Sequence, residues 1–305
     1  MTRLWVVARL DHASGCYHGF VTCGLWRLGA CIIITHHAAI ISWFYDSPLS
    51  QLGLSQVNDL GNFLKKPPRS KDPEFQTISI LRGDPSSPPS KLLCSSLRRA
   101  ISTMAAGFRD RLSRHPEDKI LIVPSLQEIS RNPDTLSITP AHTSVTASWM
   151  ETSSKQKICD FSFIFRHQVD MSLHNGNKPI ATNGLIRMTD FCDYVFSLKE
   201  DHVICGGHSI WFRSFFRTFL PNTIDHVSKT RKVVNCGVVA LTLMKATTAD
   251  GKCCYMIDPQ SIKVVHGGFD WRCVQILLEN QCLFVRITMC HTNVAHFDDV
   301  DNMHL

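Results

Sequence analysis

Ser95-Ser96-Leu97-Arg98-Arg99-Ala100-Ile101-Ser102-Thr103 follows the apolar run Leu92-Leu93-Cys94 without a break. A short apolar run passing straight into a periodic segment predicts a buried strand followed by a helix. Leu97, Ile101, Met104, Phe108 and Leu112 recur at helical spacing, so one helix is expected through Leu112, with Ser95 or Ser96 as its cap. Arg99 falls in its first turn. A guanidinium there would act together with the free backbone N–H groups of the terminus on an oxyanion. A first-turn arginine is also commonly a solvated surface residue, and the stretch alone does not choose between the two.

The same strand-to-turn pattern recurs outward from this point. Ile120-Leu121-Ile122-Val123 reads as a strand and is followed by Pro124-Ser125-Leu126-Gln127-Glu128, whose carboxyl group is either a general acid or base or a surface glutamate. Val203-Ile204-Cys205 leads into Gly206-Gly207-His208, where two glycines allow close backbone approach to a ligand and the histidine is either a ligand or a structural donor. Leu54, Val57, Leu60 and Leu64 predict an earlier helix, and Met188, Phe191, Val195 and Leu198 a later one. A strand pair is expected after Met244, ending at Ile257. Strands alternating with helices predict an α/β fold, a three-layer α/β/α sandwich on a mostly parallel central sheet. In such a sheet ligands bind beyond the carboxyl ends of the strands, where Arg99, Glu128 and His208 fall.

The 305 residues, 44% of them apolar and 19% charged, suffice for a real core, and a net charge of +6 is too modest to prevent collapse. No dense basic run marks a nucleic-acid partner. Residues 229–232 (KTRK) come nearest and read as a solvated loop. The thirteen cysteines include no CxxC pair and no finger-like Cys/His spacing, which argues against a zinc module and for a reducing, cytoplasmic setting. No secretory signal is expected at the N-terminus. Residues 28–45 (LGACIIITHHAAIISWFY) are as long as a membrane span, but the paired histidines at their centre disfavour one.

Taken in order, these fragments resemble the phosphoglycerate mutase-like histidine phosphatases. Residues 46–56 (DSPLSQLGLSQ) resemble that family's D-x-P-L-[ST]-x-x-G-x-x-Q segment, and residues 95–103 its S-x-L-x-R-A-x-x-T segment. Leu126-Gln127-Glu128 stands where the family often has its acid/base glutamate. Residues 187–212 resemble its helix, strand and second-histidine segment, and Asn235-Cys236-Gly237 its late N-C-[SG] turn. The resemblance implies that Arg99 and His208 bind phosphate, that Glu128 is the acid/base and that no cofactor is needed. It divides the chain into a divergent segment 1–45, a histidine phosphatase-like domain 46–260 with 132–186 as a cap or insertion, and an extension 261–305.

The departure is at the front, where the family's R-H-G is absent. The mechanism needs that histidine, because a neutral imidazole nitrogen attacks phosphorus. His37, ending the run Cys31-Ile32-Ile33-Ile34-Thr35-His36-His37, is the preferred substitute. His12, after a first strand Leu4-Trp5-Val6-Val7-Ala8-Arg9, is the alternative, and His18 ranks last. The implied activity is phosphomonoester hydrolysis through a phosphohistidine; the other reading is a non-catalytic member that binds a phosphorylated small molecule or phosphoprotein. Within the 132–186 region, His142, Arg166 and His167 are either additional pocket residues or solvated loop.

Overall fold

A computed structural model describes residues 2–8, 45–145, 161–179, 181–248, 251–270 and 283–291. Eight strands form one sheet: β1 (Thr2–Ala8), β2 (Ser90–Cys94), β3 (Ile120–Ile122), β4 (Val169–Asp170), β5 (His202–Gly207), β6 (Val238–Thr247), β7 (Cys253–His266) and β8 (Leu283–His291). Their order is β4-β3-β2-β5-β1-β8-β6-β7. The first five run parallel, with Leu93 opposite Leu121 and Cys205, and Ala8 opposite Gly207. Beyond β1 the sheet continues mainly through antiparallel pairs. The central sheet is thus mostly parallel and flanked by helices, the α/β architecture expected.

Alternation along the strands builds the layers. Leu93, Leu121, Val203 and Cys205 belong to one buried cluster with Phe191, Trp211 and Phe215; Leu92, Cys94, Ile120, Ile122 and Ile204 belong to another with Leu60, Met104 and Phe108. Successive side chains on a strand point to opposite faces, so β2, β3 and β5 each feed two cores. The first core is covered by α6 (Gly184–Ser197) and α7 (Ser209–Phe219), the second by α1 (Gln51–Lys65) and α3 (Arg98–Gly107). Shorter helices α2 (Phe75–Arg82), α4 (Arg109–Arg114) and α5 (Phe161–His167) complete the described helices.

Several expectations need correction. The single helix expected through Leu112 is two, α3 and α4, joined at Phe108. The break follows Gly107, where a Cβ would stand 2.6 Å from Leu60 Cδ2 of α1, so α1 and α3 cross in near backbone contact there. Neither Ser95 nor Ser96 caps α3. Its first backbone N–H, from Arg98, donates instead to Asp46 Oδ1 at 2.8 Å, a carboxylate from 52 positions away. The late strand pair starts earlier and ends later than expected, β6 at Val238 and β7 at His266. Lys229 is half-buried rather than fully solvated: its Nζ donates to Pro221 O and Ile224 O, both at 2.7 Å, closing the turn after α7, while Thr230 is exposed. No helix among the described residues is long and apolar enough to cross a membrane, and of residues 28–45 only Tyr45 is described.

Filling the α1–α3 crossing tests this packing. Gly107→Ala should cost about 1–3 kcal/mol in urea unfolding, and pairing it with Leu60→Ala should cost less than the sum of the single changes. Strict additivity would show that the crossing is not close.

Candidate functional site

The carboxyl ends of β1, β2, β3 and β5 meet at one edge of the sheet. Cys94 pairs with Ile122 and Gly206, and the Ser95 N–H extends the β2–β5 ladder by donating to Gly206 O at 2.8 Å. After β2, β3 and β5 the chain turns off the sheet and carries a candidate residue each time. Ser95 stands at the end of β2, three residues before α3 begins, and Arg99 is the second residue of that helix. His208 occupies the N-cap of α7 in extended conformation, and its Nε2 lies 2.6 Å from Ser95 Oγ. Turns that are 113 positions apart in the chain are therefore in hydrogen-bond contact.

The solvated readings of Arg99 and Glu128 fail on burial: Arg99 and His208 are 0% exposed and Glu128 1%. Arg99 donates through one terminal nitrogen to Asp134 O at 2.8 Å, and its other terminal nitrogen lies 3.6 Å from Asp134 Oδ2. That second nitrogen and Nε make no hydrogen bond among the described residues. Glu128 Oε1 accepts from the Ile129 N–H at 2.8 Å, whereas Oε2 is buried and makes no hydrogen bond of ordinary geometry among the described residues. A buried guanidinium with unused donors is costly unless a ligand completes it.

The loop bearing Glu128 is fixed from three sides. From α7, Trp211 Nε1 donates to Ser125 O at 2.9 Å; from α6, Arg187 donates to Pro124 O at 2.9 Å and Gln127 O at 2.6 Å. Lys178 donates to Glu128 O, and also to Thr135 Oγ1 at 3.0 Å. Gln127 Nε2 reaches Thr135 O at 2.8 Å and Asn177 Oδ1 at 2.6 Å. Residues 132–135 and 174–178 are thereby drawn onto the site. Asp134 and Lys178 had no signal in the sequence, because each lies in a loop whose path depends on the tertiary structure; Arg187 lies on α6, where the sequence shows only the start of a helix.

Burial pushes the Glu128 carboxyl above the usual carboxylate range, more strongly than the Ile129 N–H, Lys178, Arg99 and the Ile210 N–H pull it back. Burial likewise lowers Lys178 to about 8 and Arg187 to about 10, against the opposing pull of Glu128.

At Gly207 the close approach is not to a ligand: a Cβ there would stand 2.8 Å from the Phe212 ring of the following helix. Gly207 serves the packing of α7 on β5. His142 and His167 line a cavity of about 400 Å³ with Lys119 and Asp170, and neither Arg166 nor any of Arg99, Glu128 and His208 is among its lining residues. The preferred nucleophile His37 and its alternatives His12 and His18 lie outside the described residues. Of the two strands proposed to precede them, Thr2–Ala8 is described and runs parallel to β5, its last residue opposite Gly207.

No family model matches the chain, and no curated protein matches it. Among solved structures, the chain is similar to one described as "the crystal structure of a putative alpha-ribazole-5'-P phosphatase" from Escherichia coli K-12. The two share 12% sequence identity at a TM-score of 0.40, over 88% of this chain and 96% of that one.

The raised Glu128 predicts a pH signature. Its proton is held more tightly in the folded than in the unfolded state. The native fold is therefore penalised as pH rises from the unfolded value of about 4.5 to the raised one, and fully above it. Glu128→Gln should melt higher than wild type at neutral pH, with the gap closing as pH falls towards 4.5. A gap that stays constant with pH in calorimetry would assign the effect to something other than this carboxyl.

Proposed function

We propose that the chain is a phosphomonoester hydrolase of the histidine phosphatase type, working through a phosphohistidine. The observation that carries this reading is the buried juxtaposition at the sheet edge. Arg99, with two donor nitrogens unused among the described residues, lies four positions beyond Ser95, which touches His208. Such a set of donors suits the equatorial oxygens of a transferring phosphoryl group, whose charge must be stabilised in a site closed to water.

On this reading Arg99 and His208 hold the phosphoryl oxygens. A histidine among residues 9–44 attacks phosphorus through a neutral ring nitrogen, and the bond to the leaving oxygen breaks as Glu128 protonates it. Water then attacks the phosphohistidine, with Glu128, now ionised, accepting its proton. A carboxyl raised by burial is suited to the first step because a larger fraction of it carries the proton near neutrality. His37 is the nucleophile favoured by local sequence. His12 follows the strand whose end lies opposite Gly207, and this supports it as the rival.

Steady-state hydrolysis of an aryl phosphate, with trapping of acid-labile label, tests the assignment. Arg99→Ala should lower kcat/KM by about 10²–10³-fold, and His208→Ala by a similar factor. Label should vanish in one only of His37→Ala and His12→Ala, which names the nucleophile. Phosphate binding with neither turnover nor label in the wild type would overturn hydrolysis and leave a phosphate-binding protein.

A further inference from the structure

Arg99 is engaged before any oxyanion arrives. One terminal nitrogen is oriented by the main-chain oxygen of Asp134, and the other faces the Asp134 carboxylate at 3.6 Å; both residues are 1% exposed or less. An oxyanion that uses the unused Nε and second terminal nitrogen of Arg99 is brought beside that carboxylate. A carboxylate has about four lone-pair sites, so it can accept a further hydrogen bond besides those it already has. What it cannot do without cost is face a second full negative charge in a buried setting.

We propose that Asp134 is the specificity-determining residue of this oxyanion site, selecting an anion that still carries a proton, such as a phosphomonoester monoanion or dihydrogen phosphate, over a fully ionised one such as sulfate. The inference rests on the proposed use of Arg99 as the phosphate ligand. A phosphate OH donates to the carboxylate in a charge-assisted hydrogen bond, while a sulfate has no proton to place between the two charges. Lys178 acts on Asp134, while Glu128 and Asp46 both act on Arg99, and Arg98 in turn is tied to Asp46. Because the Asp134 main-chain oxygen orients Arg99, an Asp134→Asn variant keeps that contact and removes only the charge.

Calorimetric titration of the full chain with methylphosphonate, a phosphomonoester analogue that cannot be turned over, and with sulfate, from about pH 5.5 to about 8.5, spans the loss of the phosphonate's last proton. Wild type should favour methylphosphonate at the acid end by at least about tenfold, and the preference should shrink as pH rises. Asp134→Asn should bind the two anions within about twofold of each other, through a gain for sulfate, whereas Glu128→Gln should keep the preference.

A wild type that binds both anions equally, or whose preference is independent of pH, overturns the proposal. So does an Asp134→Asn variant that weakens both anions by one factor, which is the result of a merely orienting role, or a preference abolished by Glu128→Gln instead. If Asp134→Asn does not fold, the wild-type pH series decides alone. A wild type that binds neither anion removes the phosphate site itself and this proposal with it; methylphosphonate binding without discrimination removes only this proposal.

Discussion

The buried carboxylate of Asp46 holds together the parts that the site is made from. It sits at the turn before α1 with a positive φ of 44°, a conformation that a short polar side chain tolerates when its bonds compensate. Oδ1 accepts the first N–H of α3, and Oδ2 accepts the N–H of Ile138 at 3.2 Å. The Asp46 main-chain oxygen takes two bonds from the Arg98 guanidinium, at 2.8 and 3.1 Å. One residue therefore ties the turn before α1 to the first turn of α3 and to the loop that follows Asp134. Burial raises its pKa, so holding it ionised costs the fold stability that these bonds must offset. The direction in which Arg99 points follows from where α3 begins, and Asp46 sets where α3 begins.

A second constraint comes from the parallel sheet. Parallel strands can be joined only by crossovers, so all their carboxyl ends lie at one edge, and residues far apart in sequence are brought there by topology alone. Ser95, Glu128 and His208 follow β2, β3 and β5 at that edge. The aromatic packing behind it keeps the edge rigid: Trp211 stacks on Phe215 with ring centroids 5.0 Å apart and meets Phe191 edge-on at 5.2 Å, while its indole N–H holds Ser125 O. The same helix that presents His208 thus also fixes the loop of Glu128.

This division explains what the sequence disclosed. Strands β2, β3 and β5 were legible as short apolar runs, and helices α1 and α6 because each obeys a period of 3.6. The positions of Arg99 and His208 were legible for the same reason, each lying a few residues beyond an apolar run. The cap of α3 was not, since its acceptor comes from 52 positions away and Ser95 and Ser96 offered a local chemistry that the fold does not use. Gly107 and Gly207 show the same limit. Each is explained by a specific side chain on or beyond a neighbouring element, Leu60 or Phe212, and no local pattern names that partner.

The contrast between Arg99 and Asp134 carries the lesson further. An arginine in the first turn after a strand has a position that sequence can predict, because strand and helix each announce themselves. Asp134 lies in a short 3-10 turn, Pro133–Thr135, held in place by Gln127 and Lys178 through hydrogen bonds that join residues 8 and 43 positions apart. Nothing periodic marks such a turn. Yet the carboxylate it places 3.6 Å from a guanidinium nitrogen changes what that arginine offers to an anion, from a full positive charge to a shared one. Sequence order reaches the arginine at the end of the strand, but the carboxylate beside it is supplied by a loop that only the folded chain brings into contact.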